Sequence, residues 1–436
     1  MQAGRVLGIV AVAGSLCMSF ATDSRVITMG RHANFFMDET SIFNNPANIN
    51  VYPNMLMGDL GRYTVDPNLD DTTRYAGLAR YNRDPQKPFF GGILSYSLNR
   101  SAESGDQYPM LSIGAVLNRH DDMLDYIIPN SGSYMGTDKA SLKKGYVLEM
   151  TNPLGKIDLL VGYALKNGGM IGVGGYLAFQ KETEKGWTQY ESSLYKVNIG
   201  MNWPLTKTMD LEVSGGGAQM TGKGRVVKYV PVVMGSDTVI REDSIRPEVV
   251  ADGDLSYRAD VRLFSAMTVL NGDFVPHAGF ELRNLADGKK QVMDINGGLG
   301  INLNIDRGFF WAGIEGLYES METILTENQD TLLERLGGRI SFGIERNVIW
   351  DWLVWRTGGQ KKIMYERTGE EKGKWYQNPE SDASNDDVLG FGIGLNIENR
   401  LKVDGIVAED IFYTFTNLFA GNHHHLMTRI SVTYSF

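Results

Sequence analysis

Three histidines in a row, His423-His424-His425, are the group best equipped by type to hold a metal. Their spacing argues against it. Adjacent side chains on an extended chain point to opposite sides, whereas convergence on one ion needs positions such as i and i+4 of a helix. We read them as part of an exterior loop. His32, His120 and His277 each lack a Ser, Cys or carboxylate at a telling spacing. Gly217–Gly224 reads GAQMTGKG, close to a phosphate-binding loop, but Gly224 stands where the magnesium-binding hydroxyl belongs, and strand residues follow. Asp66, Asn68 and Asp70 imitate the start of a calcium loop. Asp71 then occupies the place that needs Gly, and Gly77 the place that needs the bidentate Glu. No Gly-x-Ser-x-Gly elbow occurs. Gly172-Val173-Gly174-Gly175 reads as inward strand glycines rather than a dinucleotide fingerprint. The chemistry-bearing residues therefore predict no catalytic residue, no metal site, no cofactor and no enzyme.

The elements that would position such residues point elsewhere. Arg5 precedes an apolar run, Val6–Leu16, and Ser19-Phe20-Ala21 supplies the small residues of a cleavage site. This predicts a secretory signal over residues 1–21, too short to span a bilayer. Leu16 before Cys17, the only cysteine, disfavours a lipoprotein signal, so the mature chain would have no thiol chemistry. The net charge of -10 argues against broad nucleic-acid binding. No later stretch approaches eighteen consecutive apolar residues, which excludes a helical membrane protein.

Two-residue periodicity runs through the chain and predicts strands. In the closing segment, Leu426–Phe436, residues Thr428, Ile430, Val432, Tyr434 and Phe436 share one face. Ile157, Leu159, Val161 and Tyr163 repeat the pattern, as do Val197, Ile199 and Met201 opposite Asn198 and Gly200. The second face is rich in Gly, Asn, Asp, Lys and Arg, which suits a watery lumen. Segments of about ten residues suffice to cross a bilayer at a tilt. Aromatics near strand ends (Tyr163, Trp203, Trp311, Trp350, Trp352, Tyr434 and Phe436) suit a membrane–water interface. Short links alternate with long ones, over about 181–190, 222–252, 321–336, 358–387 and 411–425. The prediction is an all-β transmembrane antiparallel barrel, because a closed sheet satisfies every backbone group in lipid. On this face assignment, Ile199→Arg is expected to be costly and Asn198→Arg to be tolerated.

The segment between signal and strands, residues 22–54, is neither strand-like nor strongly helical. Its Met29-Gly30, Asp38-Glu39 and Asn45-Pro46-Ala47 resemble the start of the FadL superfamily of outer-membrane fatty-acid transporters. The terminal strand, with Val432, Tyr434 and Phe436, is similar to the strand that serves as assembly signal in outer-membrane barrels. Gly343-Ile344-Glu345, Arg356-Thr357-Gly358 and GFGIGLNIENRLKVD resemble the closing strands of the PorV branch, linked to type IX secretion. The resemblance implies fourteen strands over residues 55–436, within a range of 12–18 set by a raw count of about eighteen. It also implies an N-terminal plug.

As implied by FadL, the function is passive uptake of hydrophobic small molecules across the outer membrane of a Gram-negative-type bacterium. Phe35, Phe36, Met37, Ile42 and Phe43 of the plug would then line the ligand path. As implied by PorV, the alternative is a non-transporting scaffold or shuttle for secreted proteins. Expected partners are outer-membrane lipid, the barrel-assembly machinery, and hydrophobic small molecules or secreted proteins, with no nucleic acid.

Overall fold

A computed structural model describes residues 23–30, 32–62, 88–99, 109–121, 123–124, 146–149, 153, 155–184, 187–234, 237–286, 290–326, 329–368, 374–376, 388–398, 400–407 and 427–436. The expected signal over residues 1–21, the Asp66–Asp70 stretch and the His423–His425 run lie outside these residues. A short helix, α1 (Asp23–Thr28), and two 3-10 turns, Glu39–Phe43 and Pro46–Asn50, precede the strands. These are β1 (Met55–Arg62), β2 (Phe89–Ser97), β3 (Met110–Leu117), β4 (Tyr146–Glu149), β5 (Gly155–Ala164) and β6 (Met170–Glu184). Then come β7 (Trp187–Pro204), β8 (Met209–Met234), β9 (Asp237–Ala266), β10 (Gly272–Ala286), β11 (Lys290–Ile305) and β12 (Gly308–Thr326). The chain closes with β13 (Gln329–Asn347), β14 (Leu353–Thr368), β15 (Val388–Ile397), β16 (Leu401–Val407) and β17 (Met427–Ser435).

Sixteen strands form one closed antiparallel barrel, in which β17 pairs with β1 through Met55↔Ser435 to Asp59↔Ser431. One backbone bond extends the seam, with Phe436 N–H donating to the Asn54 carbonyl, while the Asn54 side chain accepts from Ser95 N–H of β2. The count exceeds the fourteen implied by the resemblance. The seventeenth strand, β4, stands outside the ring and pairs with Arg225–Lys228 of β8. No helix among the described residues is long and apolar enough to cross a membrane.

Alternation gives the wall two faces. Leu159 (55 % exposed) and Val161 (48 %) point out of β5, while Lys156 and Asp158 of the same strand are buried inside. The outward band continues through Val173, Val197, Ile314, Ile340, Ile363 and Ile393, all of them exposed. A barrel that leaves this much apolar surface outward is built for lipid, since no second layer covers it. Trp350 and Trp352 stack at 5.1 Å in the turn after β13, beside exposed Trp355, as an interface girdle would. Trp311, expected in such a girdle, is 0 % exposed and points into the lumen. It sits at an inward position of β12, where alternation outranks its interfacial preference.

The links over 165–169, 205–208, 267–271, 306–307 and 348–352 lie at one end with the C-terminus, which we call the turn end. At the opposite, loop end, strands run on where loops were expected. β8 and β9 hold 26 and 30 residues, far more than a bilayer crossing needs, and fill most of 222–252. β12 and β13 likewise continue to Thr326 and from Gln329. Valine- and isoleucine-rich runs such as Val226-Val227 and Val232-Val233 keep the ladder going beyond the lipid band. The GAQMTGKG stretch lies within β8, in register with β9, and so forms no phosphate loop.

Candidate functional site: the N-terminal segment inside the lumen

Residues 24–50 make a full lap of the inner wall. Ser24 is hydrogen-bonded by Ser431 of β17. Thr28 lies against Gly390 and Gly392 of β15, and Met29 against Gly358 of β14 and Gly343 of β13. Phe35 covers Gly300 of β11 and Gly313 of β12. Arg262 of β9 donates to the carbonyls of Ala33 (2.7 Å) and Phe36 (3.1 Å). Asn45 and Pro46 reach Gly200 of β7 and Gly172 of β6, and Ile49 reaches Gly162 of β5 and Gly114 of β3. The segment then leaves into β1.

The belt of inward glycines makes this lap possible. A Cβ on Gly358 would stand 2.6 Å from the Met29 Cα, and one on Gly172 would enter the Pro46–Ala47 peptide. Backbone cannot yield there as a flexible side chain could. The segment's own turn, at Gly30, has φ +101°, open to glycine but strained for other residues.

Three wall carboxylates receive the segment. Glu345 of β13 accepts from Arg25 Nε at 3.0 Å, while Arg25 also donates to Asp38 at 3.1 Å. Arg356 of β14 bridges Glu345 to Asp404 of β16. Glu315 of β12 accepts from Asn34 (2.8 Å) and Arg339 (2.8 Å), with His32 and His277 at 3.8 and 3.6 Å. Glu212 of β8 accepts from Asn45 (2.8 Å), Asn48 (2.7 Å) and Arg262 (2.7 Å). Each acid is buried and would be costly unpaired, so segment and wall complete one another.

Burial tunes the segment's own groups. It holds the His32 imidazole down at about 3, helped by Arg339 nearby, while the ring packs on Trp311 at 5.2 Å between centroids. Burial also raises Asp38 to about 6 against the pull of Arg25. Arg25 itself is held further above its ordinary value: Glu345 and Asp38 outweigh the cost of burying its charge.

The residues expected on a ligand path fall into two sets. Phe35, Phe36 and Ile42 are wholly buried, the first two in a cluster with Met29, Val275 and Trp311, and Ile42 with Ile49, Tyr52 and Ile93. Met37 and Phe43 keep exposed surface. Asn45 caps the Pro46–Asn50 turn by accepting from Ala47 N–H while donating to Asn202 and Glu212. Pro46 and Ala47 are buried against β6. Asn198, expected to tolerate arginine, donates to the Phe43 carbonyl at 2.8 Å and is therefore part of the seat.

His32 and His277, isolated in sequence, come together at Glu315: His277 and Glu315 flank Gly298 of β11 in register, and the N-terminal segment brings His32 to them. A weak signal for these residues existed: lone acids between glycines on polar faces, as in Gly313-Ile314-Glu315-Gly316. No group of three or more His, Cys, Asp and Glu side chains among the described residues could hold a metal ion.

Toward the loop end, Arg119 lies 4.1 Å from the Phe43 ring centroid and pairs with Asp158 at 2.8 Å. Asp121 is held by Lys196 at 2.9 Å, and the two cations keep its carboxyl below the ordinary range despite burial. Met123 and Leu124 then pack on an apolar inward patch made by Tyr176, Leu194, Met220 and Val292. The apolar wall residues Ile93, Val116, Val275 and Trp311 are covered by residues 24–50, whereas this patch is covered by Met123 and Leu124.

No family model matches the chain, and no curated protein matches it in sequence. Among solved structures, the chain is similar to the crystal structure of a Pseudomonas aeruginosa FadL homologue, at 10 % identity and a TM-score of 0.39, over 96 % of this chain and 99 % of that one.

Proposed function

We propose that this is an outer-membrane barrel whose N-terminal segment acts as a plug, and that it admits hydrophobic small molecules. The observation that carries the reading is the inward apolar patch of Tyr176, Leu194, Met220 and Val292, separate from the clusters that residues 24–50 form with the wall. Other apolar wall residues are covered by the plug, whereas Met123 and Leu124 occupy this patch. An incoming apolar molecule would take their place, gaining about 25 cal/mol per Å² of surface removed from water. The plug must then shift, because Phe35, Phe36 and Ile42 leave no free surface beneath. Arg119 on Phe43 joins the two levels.

Uptake of a labelled fatty acid or alkylated aromatic by cells producing the protein tests the reading. Leu194→Asp with Met220→Asp should abolish uptake while the barrel still migrates as a heat-modifiable species. No uptake by the intact protein would overturn it. A second reading, a scaffold for secreted proteins, draws on the β8–β9 hairpin, which extends well past the lipid band. Co-purification of large secreted proteins, lost on shortening that hairpin, would favour it.

A further inference from the structure

One buried acid has no role in holding the segment. Glu39 is 1 % exposed, and neither carboxylate oxygen has a hydrogen-bond partner among the described residues. Its surroundings show why. The guanidinium donors nearby are committed elsewhere: Arg25 to Asp38 and Glu345, and Arg356 to Glu345 and Asp404. The groups that face Glu39 are Asp38 on its own element, Arg25 of α1, Tyr52 at the segment's end, and Lys402 and Asp404 of β16. With Glu345 and Arg356 behind them, the cluster holds three cationic side chains and four carboxylates. An isolated buried carboxylate without hydrogen bonds is far more costly than a neutral carboxyl in the same place. The excess negative charge needs one more cation, and the smallest is a proton.

We propose that Glu39 is a proton-binding site, so that docking of the segment in the lumen takes up one proton from solution and release of the segment returns it. Burial, reinforced by Asp38, pushes the Glu39 carboxyl well above its ordinary range, against the attraction of Lys402 and Arg25. In the free segment Glu39 would titrate like any glutamate, near 4.3. The sign follows. The contribution of Glu39 to docking is full below that value and is lost as pH rises toward the docked value, by up to tenfold per pH unit for one proton. The segment is thus held more tightly in acid and loosens as pH rises from the free to the docked value of Glu39, with Glu39 as the sensor.

The proposal rests on the reading of residues 24–50 as a movable plug, yet its test needs no substrate. The full-length barrel in phospholipid vesicles should show, at a pH well above the free glutamate value, the infrared C=O stretch of a neutral carboxylic acid that Glu39→Gln lacks. Protease access to the segment should rise more steeply with pH in the parent than in Glu39→Gln, over the range between the free and docked values. Lys402→Met, which removes an opposing cation, should move the midpoint upward. Identical acid bands in parent and Glu39→Gln, an unchanged pH slope in Glu39→Gln, or a midpoint unmoved or lowered by Lys402→Met would each overturn it. So would access governed by sodium against choline at constant pH, which would make the site one for sodium. Failure of fatty-acid uptake would leave all these readouts intact.

Discussion

Ile199→Arg on β7 is the sharpest test of the membrane barrel. Ile199 is 59 % exposed on the outward face and pairs with Val173 and Gly215 on its two sides. It lies five residues before Pro204, the last residue of β7 at the turn end. At about 3.3 Å per residue and a tilt of about 40°, that is about 13 Å of depth, close to the middle of an apolar band about 25 Å tall. Arginine there should cost about 2–4 kcal/mol, the midplane figure for this residue on a lipid face. Leu205→Arg is the matched control: Leu205 is exposed and apolar, but sits in the turn itself, where the cost should be about 0–1 kcal/mol. Both variants are unfolded with denaturant in phospholipid vesicles, followed by tryptophan fluorescence and heat-modifiable migration. Equal losses at the two positions, or a negligible loss at Ile199, would refute the depth argument and with it the lipid-facing assignment of that face.

Other consequences concern the seat of the segment. Gly172→Val forces a side chain into the Pro46–Ala47 peptide, an overpacking cost of about 1–3 kcal/mol, and should raise small-solute permeation through vesicles without loss of the barrel. Arg25→Ala leaves Asp38 buried without its cation and Glu345 with Arg356 alone, so docking should weaken by about 3–5 kcal/mol, read as protease cleavage within residues 24–50. His32 is held at about 3 when docked and would titrate near 6.5 when free. The docked state therefore refuses a proton that the free segment accepts. Its contribution is full above about pH 6.5 and is lost as pH falls toward 3; His32→Phe should flatten this acid limb in the same protease assay.

The barrel itself was legible in the chain. Period two needs only neighbouring residues, so Leu159 and Val161 against Asp158, or Val432 and Tyr434 against Ser431 and Thr433, could be sorted to faces before any pairing was known. The glycine-rich polar face and the acidic lone residues could be seen too, but not their purpose. Strand number depends on where ladders stop, and the extension of β8 and β9 beyond the lipid band follows from cross-strand pairing, not from local pattern. Trp311 shows the limit on type: its chemistry suited an interface, and its place in the alternation sent it inside beside His32. The seat of the segment lay beyond local reading altogether. Arg25 and Glu345 are 320 residues apart and meet only because closure of β1 on β17 curls the wall into a ring around the segment. Pattern sets which face a residue takes. Closure decides which residues share the space inside, because only a ring brings opposite strands within reach of one short segment.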